Sequence, residues 1–225
     1  MHILFIVIPL IILIIFLVNH YSNKEVLIRK LKEIPSSSVN NLKTNQLTKI
    51  TGKALHVNEP LIAPFSKRKC VFYRIKIEQK KHNGNTPTWV TVAKEEKIEP
   101  FFLNKNGEFV MVQPSQDLKN FKAHLVVDKK HSTNTFNGAS PEFQKLLDRY
   151  NIKSKAFLGF NKSLRYSEAI VEIGEEITVA GIGKWKTLNE PIEGYTYSKI
   201  ATLESNDNQQ LLITDLPKER INKRK

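Results

Sequence analysis

From Lys49 onward, apolar and polar side chains alternate with a period of two, which is the pattern of β-strands that bury one face. The stretch Cys70–Gln79 shows this alternation most clearly. Its predicted core face carries Val71, Tyr73, Ile75 and Ile77. The opposite face would then carry Cys70, Phe72, Arg74, Lys76 and Glu78. A polar turn at residues 82–87 predicts that this strand pairs with a second one over Thr88–Glu95.

The same pattern predicts further short strands. Asn106-Gly107 lies in the middle of Phe101–Pro114 and predicts a tight hairpin there. The other predicted strands are Lys49–Val57, Ala123–Lys130, two strands around Gly174 within Leu164–Trp185, Ser198–Ser205 and Gln209–Asp215. One globular helix is predicted at Ser140–Tyr150, with Ser140 as its cap. Many short strands and few helices predict a mainly β domain, a barrel or two packed sheets, over residues 47–216.

An uncharged apolar run of sixteen residues, Ile3–Val18, precedes this domain. As a helix it would cover about 24 Å of a hydrocarbon core near 30 Å, and Tyr21 suits the interface. We predict a transmembrane anchor over residues 1–21. Its apolar positions include Ile3, Phe5, Leu10, Ile15 and Val18. A cleaved signal peptide is the alternative, but no basic residue precedes the run and no A-x-A pattern follows it.

Residues 22–46 are predicted to form a juxtamembrane helix and a polar linker. Ser22 can cap the helix and Pro35 ends it, and its apolar face would carry Leu27, Leu31 and Ile34. This amphipathic pattern predicts a helix that lies beside the bilayer, while a stalk helix without contact with lipid is the alternative. Its basic residues, which would lie near the headgroups, are Arg29, Lys30 and Lys32.

Because the basic residues follow the apolar run, the positive-inside rule places the domain in the cytoplasm, as part of a single-pass protein of the inner or plasma membrane. The formal net charge of +13 favours anionic partners such as phospholipids, nucleic acid or acidic proteins. A lysine-rich surface that only keeps the protein soluble is the simpler interpretation. The candidate contacts are Lys67, Arg68 and Lys69, together with a predicted basic tail at residues 217–225.

Few motifs in the chain point to catalysis or metal binding. A single cysteine, Cys70, excludes an intrachain disulfide and a zinc site built from several thiolates. Neither a phosphate-binding loop nor a nucleophile elbow is present, and the glycines of Gly181–Trp185 suggest a bulge or a close backbone approach. We therefore predict no catalytic residue, no metal and no cofactor.

Cys70 has two interpretations. The neighbouring cations Lys67, Arg68 and Lys69 can lower the pKa of a thiol, which would favour a nucleophile. A nucleophile also needs a base that is oriented toward it, and no histidine in the sequence lies at a position that indicates such a base. A structural role is therefore favoured. Aromatic and basic residues also interleave at Phe72–Lys76, as on some nucleic-acid-binding faces. Aromatic residues in the core of a sheet are the favoured interpretation, and the predicted membrane anchor also argues against nucleic acid.

The order of these motifs resembles the GIDE domain, also called the "beside a membrane" domain, over roughly residues 50–185. This family includes the mitochondrial membrane ubiquitin ligase mulan and bacterial relatives. The residues that carry the resemblance are Pro64, Cys70, Tyr73, Gly107, Arg165, Tyr166, Glu168, Gly174 and Gly181. The resemblance implies a membrane-tethered β domain that binds partners near the bilayer, with Cys70 as part of its strand pattern.

In the mitochondrial relatives, ligase activity resides in a zinc-bearing RING that follows a second membrane helix. After Trp185 this chain shows neither a second long apolar run nor a set of thiolates. The preferred hypothesis is therefore a non-catalytic interaction module, with the lipid bilayer and an unidentified protein as partners and self-association left open. The alternatives are a RING-type E3 ubiquitin transferase by family label alone, a thiol enzyme that uses Cys70, and an anionic-lipid-binding membrane protein.

Overall fold

The computed structural model describes residues 22–84, 86–114, 120–156, 158–187 and 198–222, together with Val7 and Ile11. Within this part of the chain, no helix is both long and apolar enough to span a bilayer. The predicted anchor Ile3–Val18 lies outside the described residues except at Val7 and Ile11, and it stays a prediction.

The domain is mainly β, as the alternating pattern predicted. Its strands are β1 Gln46–His56, β2 Leu61–Ile62, β3 Lys69–Asn83, β4 Thr86–Ile98, β5 Phe101–Lys105, β6 Glu108–Gln113, β7 Phe121–His124, β8 Lys129–Ser132, β9 Leu164–Glu172, β10 Glu176–Thr187, β11 Lys199–Glu204 and β12 Leu211–Thr214. The helices that the structure describes are α1 Asn23–Glu33, α2 Pro141–Arg149 and α3 Lys218–Ile221. The predicted hairpin is confirmed, because Asn106 and Gly107 connect β5 and β6 with positive φ at both residues.

Five strands form a closed barrel in the order β1-β5-β6-β11-β10, because β10 also pairs with β1. The contact between β6 and β11 is parallel and the others are antiparallel. Strands β12 and β7 continue outward from β10. The predicted close approach at Gly181 of β10 is confirmed, since a Cβ atom there would lie 2.6 Å from Leu211 Cδ2 and 3.0 Å from the Glu204 carbonyl oxygen.

A second sheet consists of β2, β3, β4, β9 and β8, with β3 paired to β2, β4 and β9. Helix α2 covers one face of this sheet. Ser140 caps α2 by accepting a hydrogen bond from the Phe143 N–H at 3.2 Å, as predicted. The buried cluster beneath the helix includes Tyr73, Ile75, Ile77, Phe143, Leu146, Leu147, Leu164, Tyr166 and Ile170. The barrel end of the sheet instead contributes Val71 and Phe72 to the barrel core.

An irregularity in the pairing of β3 with β9, between Cys70 and Phe72, changes the predicted faces of β3. The sequence pattern placed Cys70 and Tyr73 on opposite faces of β3. In the structure both residues belong to the cluster beneath α2, while Val71 lies with Phe72 in the barrel core. The prediction for Cys70 and Val71 was wrong because one such shift inverts the alternation of side chains along a strand.

Helix α1 packs against the barrel. Its buried side chains Leu27, Ile28 and Leu31 form a cluster with Ala180, Leu212, Leu216 and Ile221. Ser22 caps the helix by accepting a hydrogen bond from the Glu25 N–H at 3.3 Å, as predicted. The predicted apolar face is covered by the barrel and by α3, so it is not available to lipid, while the position of the helix beside the bilayer stays a prediction.

A buried lysine on β1 holds α1 and α3 in place. Lys49 is only 3 % exposed, and its ammonium donates hydrogen bonds to the Leu31 carbonyl oxygen at 2.7 Å and to the Ile221 carbonyl oxygen at 3.0 Å. Both carbonyls lie at the C-terminal ends of helices, where a positive charge is favourable. Burial lowers the pKa of Lys49. One side chain therefore connects both flanking helices to the barrel.

Two further predictions differ from the structure. The predicted strand Ala123–Lys130 is divided into β7 and β8, which belong to different sheets. Between them, the Val126 N–H donates to the Asp215 carboxylate and the Asp128 N–H donates to the Glu168 carbonyl oxygen, so the chain crosses from sheet to sheet there.

The predicted solvated tail from residue 217 contains α3, and Ile221 is fully buried. Residues 223–225 lie outside the described part.

Candidate functional site

The loop that precedes Cys70 is fixed by a buried carboxylate. Glu168 is fully buried, and it accepts hydrogen bonds from the backbone N–H groups of Phe65 at 3.0 Å and Ser66 at 3.1 Å. The Tyr166 hydroxyl donates to the same carboxylate at 2.8 Å. Burial and this carboxylate raise the pKa of Tyr166 well above its usual range. These contacts give Tyr166 and Glu168, along with the adjacent Pro64, a structural role.

Cys70 is not placed as a nucleophile. The side chain is fully buried, and its thiol lies 3.7 Å from the Leu61 carbonyl oxygen, to which it donates. Burial, followed by the charge of Glu168, raises the pKa of Cys70 to about 12. The thiol is therefore neutral near pH 7, whereas a nucleophilic cysteine needs a lowered pKa. Within the described residues, no group of three or more His, Cys, Asp or Glu side chains is arranged to hold a metal.

The three cations before Cys70 do not act as one exposed group. Arg68 forms ion pairs with Asp128 at 3.1 Å and with Glu172 at 3.0 Å. The Lys67 ammonium donates to the Pro64 carbonyl oxygen at 2.7 Å. Lys69 is exposed at the start of β3. The structure thus uses Arg68 and Lys67 to fold the loop.

The remaining motif residues also have structural contacts. Arg165 forms an ion pair with Glu78 at 2.5 Å and lies over the Trp89 ring at 4.4 Å. Gly174 lies in the turn between β9 and β10. Tyr73 and Phe72 are buried on opposite faces of β3, so neither aromatic ring is exposed for stacking on a base.

A basic cleft is the candidate site that the fold assembles. It lies between α1, the β3–β4 pair and β7, with a volume of about 370 Å³. We define the basic cleft by its basic lining residues, which are Lys30, Arg74, Lys94, Lys122 and His124. Apolar side chains, including Leu27, Phe121 and Leu212, complete its lining, and Asn23 at the start of α1 also lines it.

The carboxylate in the lining of the basic cleft is already neutralised. Arg74 Nη2 lies 2.5 Å from one oxygen of Glu96, and Lys94 Nζ lies 3.6 Å from the other. Arg74 Nη1 also donates to the Ala123 carbonyl oxygen at 3.1 Å. By contrast, Lys30 and Lys122 are exposed and form no ion pair with another described residue. Of the lysines that line the basic cleft, these two can bind a ligand without breaking an ion pair in the described fold.

His124 lies in the basic cleft, and its surroundings disfavour the charged imidazolium. Its pKa is lowered, first by burial and then by the charges of Lys24, Arg74 and Arg220. A cation is therefore disfavoured at this position, as expected where positive charges converge. An anion in the cleft would reverse this effect and raise the pKa of His124.

Of the basic residues predicted to lie near headgroups, the structure places Lys30 in the cleft. Lys32 is exposed on α1 and Arg29 is half-buried. Arg74, Lys94, Lys122 and His124 were not predicted as site residues. Arg74 and Lys94 lie on the paired strands β3 and β4, whereas Lys122 and His124 lie on β7. Local pattern carries no signal that this strand pair, β7 and α1 converge.

Comparison with known proteins found no matching family model, no matching curated protein and no matching solved structure.

Proposed function

We propose that this chain is a membrane-anchored, non-catalytic interaction module of the GIDE type, with its β domain held at the membrane surface. The observation that carries the proposal is the packing of α1. This helix begins five residues after the apolar run and is packed into the barrel. An anchor in the bilayer would therefore hold the domain close to the headgroups instead of on a flexible stalk.

The non-catalytic part of the proposal is supported by the placement of Cys70. The residue with the strongest sequence argument for nucleophilic chemistry has a buried thiol with a raised pKa. The ligase activity of the mitochondrial relatives is not carried over, because a RING needs several thiolate ligands and the chain has one cysteine. We propose that the anchor crosses the inner or plasma membrane and that the domain faces the cytoplasm. The basic residues after the apolar run support this orientation.

Exposed apolar side chains on two adjoining loops suggest where a protein partner binds. Phe136 is 97 % exposed, Leu158 76 % and Phe160 61 %. The loops are joined by a hydrogen bond from Asn161 Nδ2 to the Thr135 carbonyl oxygen at 3.2 Å. Apolar side chains exposed together are typical of interaction surfaces. We propose that this surface contacts the partner, which the structure does not name.

Membrane anchoring is tested by replacing Leu10 and Ile11 with arginine in the full chain. We expect the unmodified chain to resist extraction from membranes at alkaline pH and the double variant to be released, because each arginine in a bilayer core costs about 2.5–3.5 kcal/mol. The control replaces two exposed lysines, Lys53 and Lys155, with arginine and should stay in the membrane. Equal extraction of the unmodified chain and the Leu10/Ile11 variant would contradict the anchor.

The interaction role is tested by crosslinking the full chain in its native membrane. One recurring crosslinked protein, lost in a Phe136→Ser, Phe160→Ser double variant that still folds, supports the proposed surface. A crosslink only to a second copy of the chain would replace the adaptor with a self-assembling module. Turnover of a substrate that depends on Cys70 would overturn the non-catalytic assignment.

A further inference from the structure

The basic cleft lies close to the proposed membrane surface. Asn23, the first residue of α1, lines the cleft, and only five peptide steps separate it from Val18 at the end of the apolar run. Whatever their conformation, five residues reach at most about 18 Å. The interfacial layer on each side of a bilayer is itself roughly 5–8 Å thick. With Val18 at the edge of the hydrocarbon core, the part of the cleft lined by Asn23 would lie within about 18 Å of that edge.

The chemistry of the cleft fits an anion. Lys30 on α1 and Lys122 on β7 both line the cleft, and neither forms an ion pair with a described residue. Arg74 and Lys94 add positive charge that Glu96 only partly offsets. The volume of about 370 Å³ exceeds that of one phosphate group and falls in the range of small-ligand sites, roughly 300–1,000 Å³.

We propose that the basic cleft binds the phosphate of an anionic phospholipid headgroup, with Lys30 and Lys122 as its direct ligands and Arg74 as a fixed positive charge behind them. This inference rests on the proposed function, because the lipid source follows from the position of the anchor. It assigns lipid contact to residues from α1, β3, β4 and β7. It does not assign it to Lys67 and Arg68, whose contacts serve the loop, or to Lys69, which lies outside the cleft.

The test uses the full chain released from detergent micelles in native mass spectrometry, with phosphatidylglycerol or phosphatidylcholine added. We expect phosphatidylglycerol to be retained preferentially. In the Lys30→Gln, Lys122→Gln double variant, we expect the affinity for phosphatidylglycerol to fall roughly five-fold for each lysine replaced. The reason is that a lysine near an anionic surface contributes about 1 kcal/mol. Added salt should weaken retention in the unmodified chain and have less effect in the double variant.

The matched control is Lys53→Gln, Lys155→Gln, which removes the same charge from exposed lysines outside the cleft. The site is supported if this control still prefers phosphatidylglycerol over phosphatidylcholine and the cleft variant, Lys30→Gln with Lys122→Gln, does not. Equal loss in both variants would show that the overall charge of +13 attracts the lipid, and would overturn the proposal. The absence of any preference for phosphatidylglycerol in the unmodified chain would overturn it as well.

A second measurement separates lipid from soluble phosphate. Inorganic phosphate is titrated onto the full chain in detergent while the pKa of His124 is followed by NMR. A rise in that pKa, abolished in the cleft variant and accompanied by lipid selectivity, supports the proposal. The same rise without lipid selectivity would assign the cleft to a soluble phosphorylated molecule and overturn the lipid source. Membrane extraction of each variant is read in parallel, so that a failed anchor is distinguished from a failed cleft.

Discussion

Replacement of Lys49 by methionine tests how α1 and α3 are held on the barrel. The ammonium donates two hydrogen bonds, to the Leu31 and Ile221 carbonyl oxygens. A hydrogen bond from a charged donor contributes about 1.5–3 kcal/mol, so the two bonds together contribute roughly 3–6 kcal/mol. Burial of the ammonium opposes this contribution, and the lowered pKa of Lys49 shows that the opposition is present.

Methionine preserves most of the packing of the lysine stem and removes only the charge and the donors. We therefore expect Lys49→Met to lower the free energy of unfolding by about 2–3 kcal/mol, which is the bonding contribution less the desolvation that is relieved. The assay is urea unfolding of the full chain in mild detergent. Hydrogen exchange at the amides of α1 should locate the effect, with protection lost at Leu27 and Leu31.

Lys53→Met is the matched control, because Lys53 lies exposed on the same strand and should change stability by less than about 0.5 kcal/mol. Replacing a buried charge with an apolar side chain stabilises some proteins. If Lys49→Met is as stable as the unmodified protein and α1 keeps its protection, the two hydrogen bonds do not hold the helices on the barrel.

Three further outcomes are expected. Cys70 should resist iodoacetamide at pH 8 in the folded chain and react once the chain is unfolded, because its pKa is raised to about 12; alkylation at equal rates in both states would contradict its burial. Glu175→Gln should stabilise the protein at pH 7 but not at pH 4, as measured by urea midpoints. Burial, and then nearby carboxylates such as Asp215, raise the pKa of Glu175 in the folded state above its unfolded pKa of 4.5. Protonated Glu175 therefore favours the folded state below pH 4.5, and this stabilisation is lost as the pH rises through the folded pKa. Glu168→Gln should destabilise the fold by about 2 kcal/mol, since the amide cannot accept every hydrogen bond from the loop and Tyr166, and a change below about 0.5 kcal/mol would show that the carboxylate is dispensable.

Local pattern predicted most elements of this fold because their signals are local. Asn106-Gly107 specifies its hairpin through backbone conformation, and Ser140 specifies the start of α2 through one side-chain hydrogen bond. Alternation does not describe β10, where seven consecutive residues are buried and both faces of the strand are therefore covered. The same pattern failed at Cys70, where an irregularity in the pairing with β9 alters which face each side chain occupies.

The candidate site was mostly hidden from the sequence. Lys30 was predicted as a contact because it lies beside the apolar run, yet its partners in the basic cleft come from β3, β4 and β7. The charge of +13 indicated an anionic partner in general and no location for it. Convergence of lysines depends on which strands become neighbours, and that is set by pairing between distant segments.

By itself, the sequence determined which side chains avoid water and where the chain turns. Only the tertiary structure decided what each apolar face packs against. The amphipathic pattern of α1 is compatible with lipid or protein, and in the structure Leu27 and Leu31 pack on the barrel beside Leu212. Closure of the barrel by β1 and β10, more than a hundred residues apart, is likewise a property of the whole chain. The physical reason is that hydrophobic burial is non-directional, so a local pattern encodes burial without naming the partner.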